Sequence, residues 1–266
     1  CTVKLACQDT MVSGRSYAER FDKIEQYGFD GVEVWGQHLI DAKKCAELEK
    51  SLDGRQLRVS TICAGYGGCL LDADKTQRDR AMNDIKSLLD IGGQLGAVGL
   101  IVVPVFGPPR IPDLSPMETA VELELDLLVE LCDILGEHAE KAGTLILLEP
   151  LNRYETHLLN RLEQAMDVCN NVNMPGVKMM ADFFHMSIEE RDIPKALIEA
   201  GNHLRHIHLA DSNRLVPGYG HTDFRAGFAA LKQVKYKGFM ALECGIPGKP
   251  ETELPQCVKH LKELMK

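Results

Sequence analysis

The sequence predicts an α/β protein, a single (β/α)8 TIM barrel with residues 1–266 as one domain, and three observations predict it. Short β-rich runs alternate with longer amphipathic stretches about once every thirty residues, the period of one strand–helix unit. Eight such runs fit into the 266 residues. Several runs are almost continuously apolar rather than alternating, as parallel strands are when helices cover the sheet.

In chain order, residues 3–8 give the first strand and 16–27 the first helix, with Gly28 as its stop before Phe29. The second unit pairs strand 31–35 with helix 41–52, and the third pairs 58–64 with 76–95, closed by Gly96. Residues 98–105 are the fourth strand; they include the most apolar stretch of the chain and read as buried. The helix after it, 117–141, has the clearest period: Val121, Leu125, Leu128, Leu131 and Leu135 recur at three- or four-residue steps, and Gly143 ends it. The last four strands are 144–149, 177–182, 204–211 and 239–244, each followed by a helix (161–170, 193–200, 224–232 and 252–265). A doubly wound open sheet would place a glycine fingerprint after an early strand. Gly65-Tyr66-Gly67-Gly68 is the nearest approach and does not match it.

Composition narrows the function. A formal charge of −9 with scattered basic residues disfavours nucleic acid as a partner. No window offers the roughly 18–20 apolar residues of a membrane span. Nine cysteines without a CxxC pair argue against a disulfide framework, with Cys63, Cys132, Cys169 and Cys244 in apolar or periodic segments. A reducing, cytoplasmic location is the expectation, and Cys1 at the start keeps an exported or lipid-anchored form as its alternative.

In such a barrel the side chains at the strand ends share one mouth. Glu149, Asp182, His208 and Glu243 end the last four strands, at separations of 33, 26 and 35 residues, about one unit each. Singly, each is more often a cap, a salt-bridge partner or a hydrogen-bonded core histidine. Together they would suffer several kcal/mol of repulsion and desolvation. Arg153 and Arg214 are candidates to offset part of that, and a divalent cation would do so more fully. Three carboxylates and one imidazole suit Mn2+, Mg2+ or Co2+ better than a thiolate-rich zinc site. Mn2+ comes first, with Zn2+ also in range. Cys244 follows Glu243 and is expected to face the other side of its strand.

Three segments carry a resemblance. Glu149-Pro150-Leu151-Asn152-Arg153-Tyr154-Glu155-Thr156, Asp182-Phe183-Phe184-His185, and His206-Ile207-His208 running on through Asp211 and Arg214 to His221 resemble the xylose-isomerase-like barrel superfamily. Within it they resemble the ketose 3-epimerases acting on D-tagatose, D-psicose and L-ribulose. The resemblance implies Glu149, Asp182, His208 and Glu243 as metal ligands, Glu149 and Glu243 as the catalytic carboxylates, and Glu155, His185 and Arg214 as substrate contacts. It also implies a small sugar as substrate and, by analogy, a homodimer or homotetramer. C3 epimerisation of a ketose through a cis-enediolate would follow: one glutamate removes the proton and the other returns it on the opposite face. The residues after the third strand, and the Cys244 that follows Glu243, depart from that group, and such loops select the substrate.

Related chemistry competes. Aldose–ketose isomerisation begins at the same enediolate. So does dehydration or elimination on a keto-inositol or keto-glycoside, for which His185 or His221 is a candidate acid. A DNA-cleaving relative of the fold would need histidines on early strands, where the third ends in Ile62-Cys63. A barrel that only binds sugar would ordinarily have lost one of these acidic residues. Trp35, the one tryptophan, ends the second strand, where it could stack on a sugar or pack in the core.

Overall fold

The computed structural model describes residues 3–266, so the expectation resting on Cys1 lies outside the described residues. Eight strands run β1 (Lys4–Gln8), β2 (Gly31–Trp35), β3 (Arg58–Cys63), β4 (Leu100–Val102), β5 (Ile146–Leu148), β6 (Val177–Asp182), β7 (Leu204–Leu209) and β8 (Phe239–Leu242). All neighbours pair in parallel in chain order, and β8 returns to β1 through Lys4–Phe239 to Cys7–Leu242. Closure leaves no strand edge exposed, and the chain forms the predicted (β/α)8 TIM barrel.

The long helices are α1 (Tyr17–Gln26), α3 (Ala42–Leu52), α4 (Lys75–Leu95), α5 (Ala120–Ala142), α6 (Leu162–Val172), α8 (Ile193–Ala200), α9 (Phe224–Gln233) and α10 (Pro250–Leu264). Their ends follow capping chemistry. Ser16 caps α1 by accepting from the Glu19 N–H. Thr119 and Glu122 form a reciprocal capping box at α5, which moves the start of that helix past the expected residue 117. Two short helices, α2 (Gly36–Leu39) and α7 (Phe183–Glu189), were not expected. The second exists because the Asp182 side chain accepts from the Phe184 N–H and starts a turn directly off the strand. The fourth and fifth strands are shorter than predicted; Pro104 has no N–H to continue the β4 ladder. Among the described residues no helix is long and apolar enough to cross a membrane, and the eight described cysteines are all free.

The pleat sorts every strand into two faces. On β4, Leu100 and Val102 join the main core beneath the helices, whereas Ile101 points to the barrel axis. Leu147 and Met180 join Ile101 and Cys63 inside, with Ala6, Phe239 and Ala241 as a second inner cluster. Continuing the same alternation turns Gln8, Glu33, Glu149, Asp182, His206, His208 and Glu243 inward, and turns Cys244 outward against the main core as expected. The inner layers near the strand starts are apolar, and the layer at the strand ends is polar.

Gly93 shows how closely the helical layer packs. A helix-interior glycine is ordinarily worse than alanine by about 1 kcal/mol. Here an added Cβ would lie 1.9 Å from the Ala142 carbonyl oxygen at the end of α5. Gly93→Ala is therefore expected to destabilise the protein, by about 1–3 kcal/mol of overpacking. Urea denaturation should show a lower midpoint at unchanged slope; a gain in stability would contradict this account of the α4–α5 contact.

Candidate metal centre and active-site mouth

Glu149 and Glu243 lie one residue beyond β5 and β8 yet keep the strand register, since their N–H groups donate to Val102 O at 3.1 Å and Leu209 O at 3.4 Å. With Asp182 and His208 they present one ligand-type atom each, all within 4.8 Å of one another. His208 Nδ1 lies 3.0 Å from Glu243 Oε2, 3.4 Å from Glu149 Oε1 and 3.7 Å from Asp182 Oδ2. Asp182, His208 and Glu149 are buried and Glu243 is half-buried. Both His208 Nδ1 and Glu149 Oε1 are enclosed with no hydrogen-bond partner. Each such orphan costs about 1–3 kcal/mol, and both face the same point. Three carboxylate oxygens and an imidazole nitrogen around that point fit a hard or borderline divalent cation.

The protein itself answers the concentrated charge with two groups. Arg214 donates from Nη1 to Asp182 Oδ2 at 2.5 Å and from Nη2 to Glu243 Oε2, with its guanidinium 4.7 Å above the Phe184 ring. Burial would raise the Asp182 carboxyl, but Arg214, with His208 and His185, holds it below the ordinary range. Burial pushes Glu149 upward, partly opposed by His208. Burial would likewise raise Glu243, and there His208 and Arg214 prevail and lower it. For His208, burial disfavours the cation, yet Glu33 and Glu243 keep its proton well above the usual imidazole range.

Arg214 sits at φ 61°, in the left-handed region. Its N–H donates to Asp211 O and its carbonyl accepts from Gly245 N–H, both at 2.8 Å. The buried Asp211 carboxylate accepts from the N–H groups of Ser212, Gly218 and Thr222, at 2.8, 2.8 and 3.0 Å. The loop is thereby built around one carboxylate, and it aims the guanidinium into the mouth.

His185, one turn into α7, has Nε2 3.7 Å from Asp182 Oδ2. Its Nδ1 accepts from Asn152 N–H at 3.1 Å, so Nε2 carries the ring proton and faces the mouth. Asn152 also donates from Nδ2 to Glu155 Oε2 at 2.5 Å, tying Glu155 to the same cluster. The expected role of Arg153 is corrected. Its backbone N–H and its guanidinium are both taken up by Glu189, at 2.6–3.0 Å, so it offsets no charge at the mouth. His221 is exposed. Trp35 is 37% exposed and not part of the core.

Sequence reasoning missed Glu33. It is fully buried on β2, and its carboxylate accepts from Gln8 Nε2 (3.0 Å), Thr61 Oγ1 (2.6 Å), His206 Nε2 (2.8 Å) and His208 Nε2 (3.0 Å). Gln8 Nε2 is also 2.9 Å from Glu243 Oε1. Because the His208 Nε2 proton faces Glu33, Nδ1 is the nitrogen left for a cation, the carboxylate–histidine arrangement that commonly orients metal ligands. The signal was present as a lone acidic residue inside the apolar run Gly31-Val32-Glu33-Val34-Trp35.

Glu33→Gln keeps the volume and loses the charged acceptor. It is expected to lower divalent-metal affinity by about 10–100-fold, measured as free Mn2+ by electron paramagnetic resonance during titration of metal-stripped protein. Circular dichroism should report an intact barrel, and unchanged affinity would contradict this role.

Comparison with known proteins agrees with the architecture. Residues 21–264 match the family described as xylose isomerase-like TIM barrel. The chain is 31% identical over 243 residues to a 3-dehydro-D-guloside 4-epimerase of Escherichia coli strain K12, covering 91% of this chain and 92% of that protein. It is 30% identical over 239 residues to a D-psicose 3-epimerase of Enterocloster bolteae, covering 85% and 76%. Among solved structures, a 3-keto-D-glucoside 4-epimerase from E. coli superposes with a TM-score of 0.89 at 28% identity, covering 98% of this chain and 100% of that one. A D-psicose 3-epimerase from Clostridium cellulolyticum H10 shares the fold at a TM-score of 0.86 and 22% identity, covering 99% and 100%. The chain belongs to the xylose isomerase-like TIM barrel family, among relatives that are sugar epimerases.

Proposed function

We propose that the chain inverts a carbon adjacent to the carbonyl of a keto sugar, in its simplest form C3 epimerisation of a ketose, with Glu149 and Glu243 as the proton-handling carboxylates. The observation that carries this reading is the convergence of Glu149, Asp182, His208 and Glu243 around one buried point. A divalent cation held there, Mn2+ foremost, supplies positive charge for the oxygens of the developing enediolate.

The remaining chemistry belongs to the chain. Glu149 and Glu243 come from β5 and β8, on either side of the β6–β7 ligands. One carboxylate takes the proton from the carbon while the electron pair moves into the carbonyl. The other carboxyl then delivers a proton to the opposite face, so no net proton is gained or lost. Arg214 and His185 both project donors toward Asp182 at the mouth, where they can hold the substrate's oxygens, and Glu155 is placed beside them through Asn152. A carbonyl at C2 makes C3 the reacting carbon and a carbonyl at C3 makes C4 reactive. The 3-epimerases and 4-epimerases among the relatives are thus compatible with one apparatus.

Incubating the Mn2+-loaded protein in D2O with ketoses and keto-glycosides, and following each carbon by NMR, tests the reading. Deuterium at the carbon next to the carbonyl, with a new epimer, is the expected result. Glu149→Gln and Glu243→Gln should each slow exchange by about 10²–10⁴-fold. Label arriving with an aldose product would mean isomerisation, and label with loss of a substituent would mean elimination. Bound metal without exchange in any sugar would overturn an enzymatic role.

A further inference from the structure

Beside the metal mouth lies a second cavity of about 450 Å3, a volume ordinary for a small-molecule site. Among the described residues it is lined by the segments after β2, β3 and β4, and by none of the four clustered ligand residues. The two spaces adjoin at the end of β3: Cys63 Sγ is 3.7 Å from Glu243 Oε1, and the next residue, Ala64, lines the cavity. Trp35 and Phe106 border it, and they are 37% and 52% exposed.

Two large rings left in water beside a polar site call for a reason, and loop slack is not it. Phe106 is bracketed by ties to the Glu155 segment: Thr156 Oγ1 donates to Val105 O at 2.7 Å, and Gly107 N–H donates to Glu155 O at 2.8 Å. Trp35 is the last residue of β2, and just beyond it Gly36 packs so closely on the β3 loop that a Cβ would lie 2.0 Å from Ala64 O. The gap between the β3 and β4 loops is set by Tyr66, whose hydroxyl donates to Val103 O at 2.8 Å and accepts from Val103 N–H at 3.0 Å. Of the charges on the lining, Arg110 pairs with Asp72 at 3.0 Å and Asp84 accepts from the Gly67 N–H at 2.8 Å, while the Arg80 guanidinium, beside Gly67, has its donors free for hydroxyls among the described residues. What the cavity offers is aromatic faces with polar groups at the margin. That is the chemistry which receives a neutral sugar ring, with its C–H face on the aromatic and its hydroxyls outward.

Resting on the keto-sugar reading of the metal mouth, we propose that this cavity is a subsite for a glycosidically linked second ring, so that the substrate is a keto-glycoside of disaccharide size rather than a free ketose. The reacting ring lies over Glu149 and Glu243, and the linked ring passes Ala64 to rest between Trp35 and Phe106.

Trp35 is the only tryptophan, so protein fluorescence reports on this subsite directly. With Mg2+ as a silent ion, the protein is titrated with D-fructose and with a disaccharide oxidised to a ketone on its non-reducing ring. The disaccharide is expected to shift or quench the emission, and fructose to leave it unchanged. Phe106→Ala, a change at an exposed ring that should not disturb folding, is expected to weaken the disaccharide response by roughly three- to tenfold, and to raise its KM with little change in kcat. No response to the disaccharide, an equal response to fructose, or a response indifferent to Phe106→Ala would overturn the subsite. A disaccharide response in a protein that exchanges no sugar proton would sustain the subsite and defeat the catalytic reading instead.

Discussion

Four carboxylates, Glu33, Glu149, Asp182 and Glu243, share one end of a barrel barely wide enough for its own side chains, and the site's architecture follows from that concentration of charge. Isolated, each would neutralise by taking up a proton. Here three of them are given partners, and Glu149 keeps an enclosed, unbonded Oε1. His206 and His208 stand on either side of Glu33, Arg214 spans Asp182 and Glu243, and Gln8 joins Glu33 to Glu243. The pleat of a closed parallel barrel makes this feasible, because it turns alternate residues from six different strands toward the same end of the interior. The same repulsion that penalises the cluster is what a divalent cation at the proposed site would relieve.

Much of this was legible in the sequence, and what was not has physical reasons. The strands that carry Glu149, Asp182, His208 and Glu243 were visible because their outward residues are apolar and their terminal residues are not. Arg214 and His185 were visible only through local motifs, since no periodicity orients a loop side chain. Glu33 escaped because its partners lie 173 and 175 residues away on β7, a distance that only barrel closure bridges. Arg153 misled because a basic residue four positions after Glu149 looks well placed, whereas Glu189 at the end of α7 takes both its backbone and its side chain. Helix α7 itself was hidden, since one aspartate serves both as strand end and as helix cap.

The relatives differ in which carbon they invert and share the architecture that would invert it. Activating a carbon next to a carbonyl asks for charge on the oxygen and two proton carriers on opposite faces, and neither depends on the rest of the sugar. In the proposed reading, selection of the sugar falls to the segments after β2, β3 and β4, away from the charged cluster, where Trp35, Tyr66 and Phe106 stand. Such a division, with the charged cluster mostly on the later strands and the aromatic wall on the earlier ones, would let substrate change without disturbing the costly charge arrangement.

The β1–β8 seam carries a consequence for how the molecule comes into being. Lys4 to Cys7 can pair with Phe239 to Leu242 only after the more than two hundred residues between them have left the ribosome. Until then β1 exposes its ladder groups, and Glu33 on β2 waits for both histidines of β7. Contacts at such separations make a slow search, and the nascent half-barrel would hold a buried-type carboxylate with nothing to answer it. The polar layer draws on both ends of the barrel's strand order, so it is complete only when the barrel has closed, and an unclosed chain would leave its carboxylates unanswered.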